Sequence, residues 1–201
     1  MWEGMFLAGG GPAPKPIYKS LLPSEFITGT ALATLVGASS LGTAMPEIDS
    51  TPWMVFRENS KVYCMPQKPL KHTWPYNGAN TAGLIYGKNA TIKGGVWKVR
   101  TFTGIATNSE WMRMMAGFLA GGTPPIRWAN MSYDDLGIGP LNTVNNGCSV
   151  YLQETYNQYQ YYVRGIRSDY TSLSNNNMGN AFNTTGWRPL LEFVSGSQPW
   201  V

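Results

Sequence analysis

The chain has one histidine, His72, and two cysteines, Cys64 and Cys148. Nucleophilic catalysis needs an activated Ser, Thr or Cys, a base and a group that orients the base. His72 stands between Lys71 and Thr73, and no Gly-x-Ser-x-Gly turn occurs. Glycoside hydrolysis would need two carboxylates roughly 5 to 10 Å apart. Glu110, Asp134, Asp135, Glu154, Asp169 and Glu192 are available, but no spacing singles out a pair, and Asp134-Asp135 reads as the cap of a turn at Leu136-Gly137. The cysteines lack a CxxC or Cys–His spacing, so no zinc site is expected. Phosphate loops and dinucleotide fingerprints are missing. The expectation is a protein that is not an enzyme and carries neither cofactor nor metal.

Groups suited to binding are abundant instead. Tyr151, Tyr156, Tyr159, Tyr161, Tyr162 and Tyr170 lie close together, interleaved with Gln153, Gln158 and Gln160. Tyrosine offers a large contact area at low entropy cost and keeps a polar handle, which suits a binding face. Alternate residues of Tyr159–Val163 would equally serve a core. Ser172 to Thr185, with Asn175, Asn176, Asn177, Asn180 and Asn183, reads as a long polar loop. Its amides match sugar hydroxyls or a partner's backbone, although asparagine also simply makes turns. The residues first assigned to ligand contact are Tyr156, Tyr159, Tyr170, Asn175, Asn176 and Asn177.

Composition narrows the class. Of 201 residues, 43% are hydrophobic and 13% aromatic, enough for a core, and charged residues reach only 13%, about half the usual share of roughly 25%. Charge-driven disorder is therefore excluded. With 23 Gly and 14 Pro, a loop-rich, strand-rich protein is expected rather than a helix bundle. The net charge of +4 comes from scattered Lys and Arg, without the clusters that nucleic-acid backbones need. Met1-Trp2-Glu3 is not the basic start of a secretory leader. The uncharged stretch Phe26–Met45 has the length of a membrane span, but its Thr, Ser and Gly content reads as a short helix followed by a loop, so no membrane insertion is expected. Cys64 and Cys148 either form one bridge or remain two buried thiols, the second being preferred.

Positioning elements follow from periodicity. Met1 to about Lys19 is an aperiodic Gly/Pro/Ala-rich arm. Thr28 or Thr30 caps a helix with Leu32, Leu35 and Val36 on its apolar face and Gly37 at its end. Trp53–Arg57 and Lys61–Met65 form a hairpin around Glu58-Asn59-Ser60, and Ala90–Ile92 and Val96–Arg100 form another across Lys93-Gly94-Gly95. In the latter, Val96, Lys98 and Arg100 make a mostly polar, half-solvated face. Residues 108–120 form the main helix: Asn108 or Ser109 caps it, Glu110 suits its positive end, and Trp111, Met114, Met115, Phe118 and Leu119 share one face. Gly121-Gly122 stops it. Arg127–Ser149 is mostly loop, and strands return at Ser149–Gln153, Tyr159–Arg164 and Leu190–Val194.

A linear series of motifs runs along the chain: Trp53-Met54-Val55-Phe56, Lys61-Val62-Tyr63, Gln67-Lys68-Pro69-Leu70-Lys71-His72, Gly83-Leu84-Ile85-Tyr86-Gly87, Trp97 to Gly104, Ser109-Glu110-Trp111, Gln153-Glu154, Tyr162-Val163-Arg164-Gly165 and Gly186 to Glu192. In this order, from Thr28 to Phe193, the chain resembles a group of tailed-bacteriophage virion proteins described as structural or tail-fibre-like. Arg164-Gly165, a loop, and then Gly186-Trp187-Arg188-Pro189 is also similar to the end of C-type-lectin-like domains of the formylglycine-generating-enzyme type. That resemblance implies that Arg164, Trp187 and Arg188 are structural anchors, with both arginines bonding carbonyls of the loop between them. The catalytic cysteine pair of the enzyme branch is missing, so no activity is carried over.

The resulting expectation is an α+β fold of short antiparallel strands, long loops and one main helix, of C-type-lectin-like kind towards its end. Residues 1–27 form an extended docking arm, 28–104 a helix plus hairpin region, and 105–201 the lectin-like region packed on it. The implied function is a virion surface protein of a tail fibre or spike that recognises a host glycan or protein. It would be assembled in the host cytoplasm as a homo-oligomer, a trimer suiting a spike, and would bind other virion proteins through its arm. The alternative is a capsid or collar decoration protein.

Overall fold

The structure is a computed structural model that describes residues 18–58, 60–123, 126–138, 149–166 and 169–198. It is mostly sheet with few helices. The elements in order are β1 (Tyr18–Leu21), α1 (Gly29–Leu35), β2 (Thr43–Ala44), β3 (Trp53–Glu58), β4 (Lys61–Pro66), β5 (Lys71–His72), α2 (Tyr76–Thr81), β6 (Lys88–Ile92), β7 (Gly95–Arg100), α3 (Glu110–Phe118), β8 (Ser149–Asn157), β9 (Gln160–Ile166), β10 (Asp169–Asn177), β11 (Thr185–Gly186) and β12 (Leu190–Gly196).

Both expected hairpins form. Glu58 pairs with Lys61 and Ile92 with Gly95, leaving two-residue turns. Lys93 and Gly94 both have positive φ, 49° and 78°, the left-handed pair whose twist matches antiparallel strands. The central sheet runs β1-β3-β4-β12-β7-β6. β12, from the end of the chain, inserts between β4 and β7, so the region from 105 onward completes the sheet begun by the region before it.

Two cores cover the two faces of this sheet, which explains why β3 is apolar at successive positions rather than alternate ones. Trp53, Val55, Cys64, Trp97, Val99 and Leu191 face the layer of α1 and α2, whereas Met54, Phe56, Tyr63, Met65 and Leu190 face α3. On α3, Trp111, Met114, Met115, Phe118 and Leu119 are all buried, as their spacing predicts. Thr28 caps α1 by accepting from the Ala31 amide at 3.2 Å. Burial pushes the thiol pKa of Cys64 well up. Cys148, and with it the question of a bridge, lies outside the described residues.

Several expectations are corrected. Residues 18–27, counted with the arm, belong to the fold: β1 pairs with β3, and Phe26 packs edge-on between Trp53 and Trp97, 5.3 Å from each. Residues 1–17 of the arm lie outside the described residues. Leu35 is 47% exposed, and Ala33 takes its place in the core. Arg100 is buried rather than half-solvated, because α3 lies over that face of β7 and supplies a carboxylate. The expected Asn-rich loop begins instead as strand β10, which runs to Asn177. No helix of the described residues is long and apolar enough to cross a membrane.

Candidate functional site

A second sheet, ordered β10-β9-β8-β11, carries most of the tyrosines and asparagines singled out above. Backbone hydrogen bonds are among the links that fasten it to the body. The Gln153 amide donates to Phe102 O at 2.9 Å, and the Trp187 amide donates to Lys71 O at 2.8 Å.

Strand alternation sorts the tyrosines into two sets. Tyr151, Tyr161 and Val163 turn into the core. The Tyr161 hydroxyl donates to Tyr151 Oη at 3.1 Å, and Tyr151 donates to Trp74 O. Tyr76 stacks on Tyr161 with centroids 4.6 Å apart. Burial raises both phenol pKa values, that of Tyr161 to about 12. This half of the cluster is structural.

The opposite face is the candidate site. Tyr162 on β9 sits across from Asn175 on β10 and meets Tyr156 of β8 edge-on, centroids 5.6 Å apart. Leu173, two residues before Asn175 and so on the same face, pairs with Arg164. Tyr159 lies in the β8–β9 turn, where Asn157 Oδ1 accepts its amide at 2.8 Å. Tyr156 and Tyr159 are 55% and 65% exposed. The result is an uncharged patch of aromatic, amide and aliphatic groups held on strands.

Arg164 stands on the same face as Tyr162 and Leu173, buried at the edge of the patch under the Gly104-Ile105 segment. Its Nε donates to Gly104 O at 2.8 Å, Nη2 to Ile105 O at 3.0 Å, and Nη1 to Thr171 O. Burial lowers its pKa. Glu154 braces the same loop, accepting the Gly104 amide at 3.0 Å on each carboxylate oxygen. A Cβ added to Gly104 would lie 2.3 Å from both Leu152 methyl carbons. Gly104→Ala is therefore expected to push the loop off β8 and to destabilise the protein by about 1–3 kcal/mol, as overpacking does. Denaturant titration would check this; a loss within experimental error would mean the loop is not tightly seated.

The other candidate residues are placed elsewhere. Asn176 turns inward and donates from Nδ2 to Thr185 Oγ1 at 3.1 Å. Asn177 is exposed, but its Oδ1 accepts the Gly179 amide and closes a turn. Tyr170 lies at the far end of β10. With Thr107, Asn108, Met112, Arg113, Ala116 and Thr123 it lines a cleft of about 310 Å³ beside α3, and its carbonyl accepts from Trp111 Nε1. Trp187 is buried and stacks in parallel on Trp74 with centroids 4.8 Å apart. Arg188 bonds Gln67 O, not the loop between Arg164 and Trp187 as the resemblance implied.

The carboxylates are engaged structurally. Arg100 is gripped by Glu110, at 2.6 and 2.7 Å, and by Glu192 at 2.9 Å. Burial pushes both glutamates up, but the Arg100 guanidinium at Glu110, and Lys61 together with Arg100 at Glu192, outweigh it and hold each pKa below its ordinary value. Asp135 caps the Ser132 turn, and Asp169 bonds Thr171. His72 bonds Thr73 Oγ1, and no group of three His, Cys, Asp or Glu among the described residues could hold a metal ion. Tyr162 and Leu173 were missed as site residues. The signal for Leu173 was the alternation along β10, hidden because Ser and Asn disfavour strands. Compared with models of protein families, with curated proteins and with solved structures, the chain matches none.

Proposed function

We propose that this chain is a structural protein of a tailed-bacteriophage virion, displayed on the particle surface, and that the outer face of the β8–β10 sheet contacts the host cell. The observation that carries the recognition reading is the uncharged face of Tyr156, Tyr162, Leu173 and Asn175 with Tyr159 at its tip. Two of its tyrosines are more than half exposed, Tyr156 on β8 and Tyr159 in the turn to β9. Tyrosine on a rigid mount gives contact area with little ordering cost, and amides add donors and acceptors. The phage assignment is supported by the ordered motif series from Thr28 to Phe193. We also propose a C-type-lectin-like kinship for the region from 105. It is supported by Arg164 bonding Thr171 O, in the segment between it and Trp187, and by the buried Gly186-Trp187-Arg188 corner.

Tyr156→Ala combined with Tyr159→Ala tests the recognition reading on intact particles. Adsorption to host cells is expected to fall by about tenfold or more, since interface tyrosines commonly contribute about 1–2 kcal/mol each. Particle incorporation and melting temperature should be unchanged. Normal adsorption by such particles would overturn the reading. Cryo-electron microscopy that places the chain in a regular capsid or collar array would move it to decoration.

A further inference from the structure

We infer that β10 is a self-pairing edge: Leu173–Asn177 of two copies join antiparallel about a two-fold axis at Asn175, making one continuous sheet. This goes beyond the recognition reading and stands independently of it.

The Met178 amide donates to Tyr159 O at 2.8 Å. Alternation along an antiparallel ladder then turns the N–H and C=O of Asn176 and Ser174 towards β9, and those of Leu173 and Asn175 outward. Neither Leu173 nor Asn175 has a partner for these outward groups among the described residues. An open row of this kind is a template for another strand.

The other long edges are blunted by means familiar in natural sheets. β1 has four residues and carries Lys19, and β6 starts at Lys88 and turns at Lys93. From Tyr170 to Asn177, β10 has neither a charge nor a proline. Its one irregularity lies between Asp169 and Leu173, which leaves 173–177 as the regular, open stretch.

That stretch is complementary to itself. With Asn175 opposite Asn175, Leu173 faces Asn177 and Ser174 faces Asn176, so no like charges meet. The arm of the same chain is a poor occupant, because Pro12, Pro14 and Pro16 remove the donors a pairing strand must offer. A two-fold axis perpendicular to the sheet also sets the Tyr156–Tyr162–Asn175 faces of both copies side by side, pointing the same way. One particle-borne dimer would then contact its target twice.

Sedimentation equilibrium of the full chain tests this, with the mass of two chains expected. Asn175→Pro deletes only an outward N–H and should give a single-chain mass. Asn175→Lys leaves the backbone intact and places lysine opposite lysine. It should weaken the dimer at least tenfold at low salt, with affinity returning as salt rises. In a Cys148→Ser background, Asn175→Cys should cross-link under mild oxidation, because hydrogen-bonded antiparallel partners lie about 5.5 Å apart, within disulfide reach. Leu173→Cys should not cross-link to itself. A wild-type mass of one or three chains, or a dimer indifferent to both Pro and Lys at 175, would overturn the inference.

Discussion

Replacing Arg100 by methionine is expected to cost about 3–5 kcal/mol of folding stability at neutral pH, the usual range for breaking a buried ionic cluster from one side. Arg100 joins three elements. From β7 it donates two hydrogen bonds to Glu110 of α3 and two to Glu192 of β12, and one more to Thr101 O. Its side chain is only 6% exposed, and those of the two glutamates 14% and 19%. Without it, two carboxylates would face each other with only Lys61, 57% exposed, on the outer side of Glu192.

The pH dependence supplies a second, sign-specific readout. In the native protein the pKa values of Glu110 and Glu192 are lowered, so the stability they contribute is complete above the ordinary glutamate value. It is lost as pH falls below that ordinary value and through the lowered ones. In the methionine variant the two carboxylates repel and their pKa values rise. Its stability should therefore increase as pH is lowered from 7 towards about 5. Urea titrations at neutral and mildly acid pH should show the gap between the two proteins narrowing. A gap below about 1 kcal/mol, or one that ignores pH, would mean that water already screens the cluster.

The opposite sign is expected at Arg188. This side chain is 2% exposed, and no carboxylate bonds it. Nη2 donates to Gln67 O at 3.1 Å, Nη1 approaches Met115 Sδ at 3.8 Å, and Nε has no partner. Burial alone drives its pKa down to about 9. A base whose folded pKa is lowered takes up its proton more readily when unfolded. Its charge therefore opposes folding at every pH below about 9, and the penalty fades as pH rises towards the ordinary arginine value. Arg188→Met, similar in length and apolar, is expected to raise stability by about 1–4 kcal/mol, as replacement of buried charge by packed hydrophobic groups has done elsewhere. Thermal unfolding at neutral pH measures it. A lower melting temperature for Arg188→Met would show that the bond to Gln67 outweighs the cost of burying the charge. Arg188→Ala would not answer the question, because the cavity it leaves destabilises in its own right.

Elements whose stability is local can be read from the residue order alone. The face of α3 is written in the spacing of Trp111, Met114, Met115, Phe118 and Leu119, and the β6–β7 turn in Lys93-Gly94. Both depend on neighbours a few residues away. The short helix after Thr28 was legible for the same reason. The exposed pair Tyr156 and Tyr159 was named from composition, but composition could not separate it from Tyr151 and Tyr161. Which of two alternating sets faces a core depends on what packs against the sheet, and here that is Tyr76 and Trp74, some eighty residues away.

The remaining features come from contacts between distant parts of the chain. β10 is a strand despite its Ser/Asn composition, because β9 pairs with it and Arg164 ties down its start. Asn176 and Asn177 were drawn away from the candidate face by Thr185 and by a turn. Arg100, Glu110 and Glu192 meet only because β12 crosses the whole chain to lie beside β7. Contacts between residues so far apart in sequence leave no periodic trace, since each partner is a single residue whose meaning depends on a fold that has already brought the others to it.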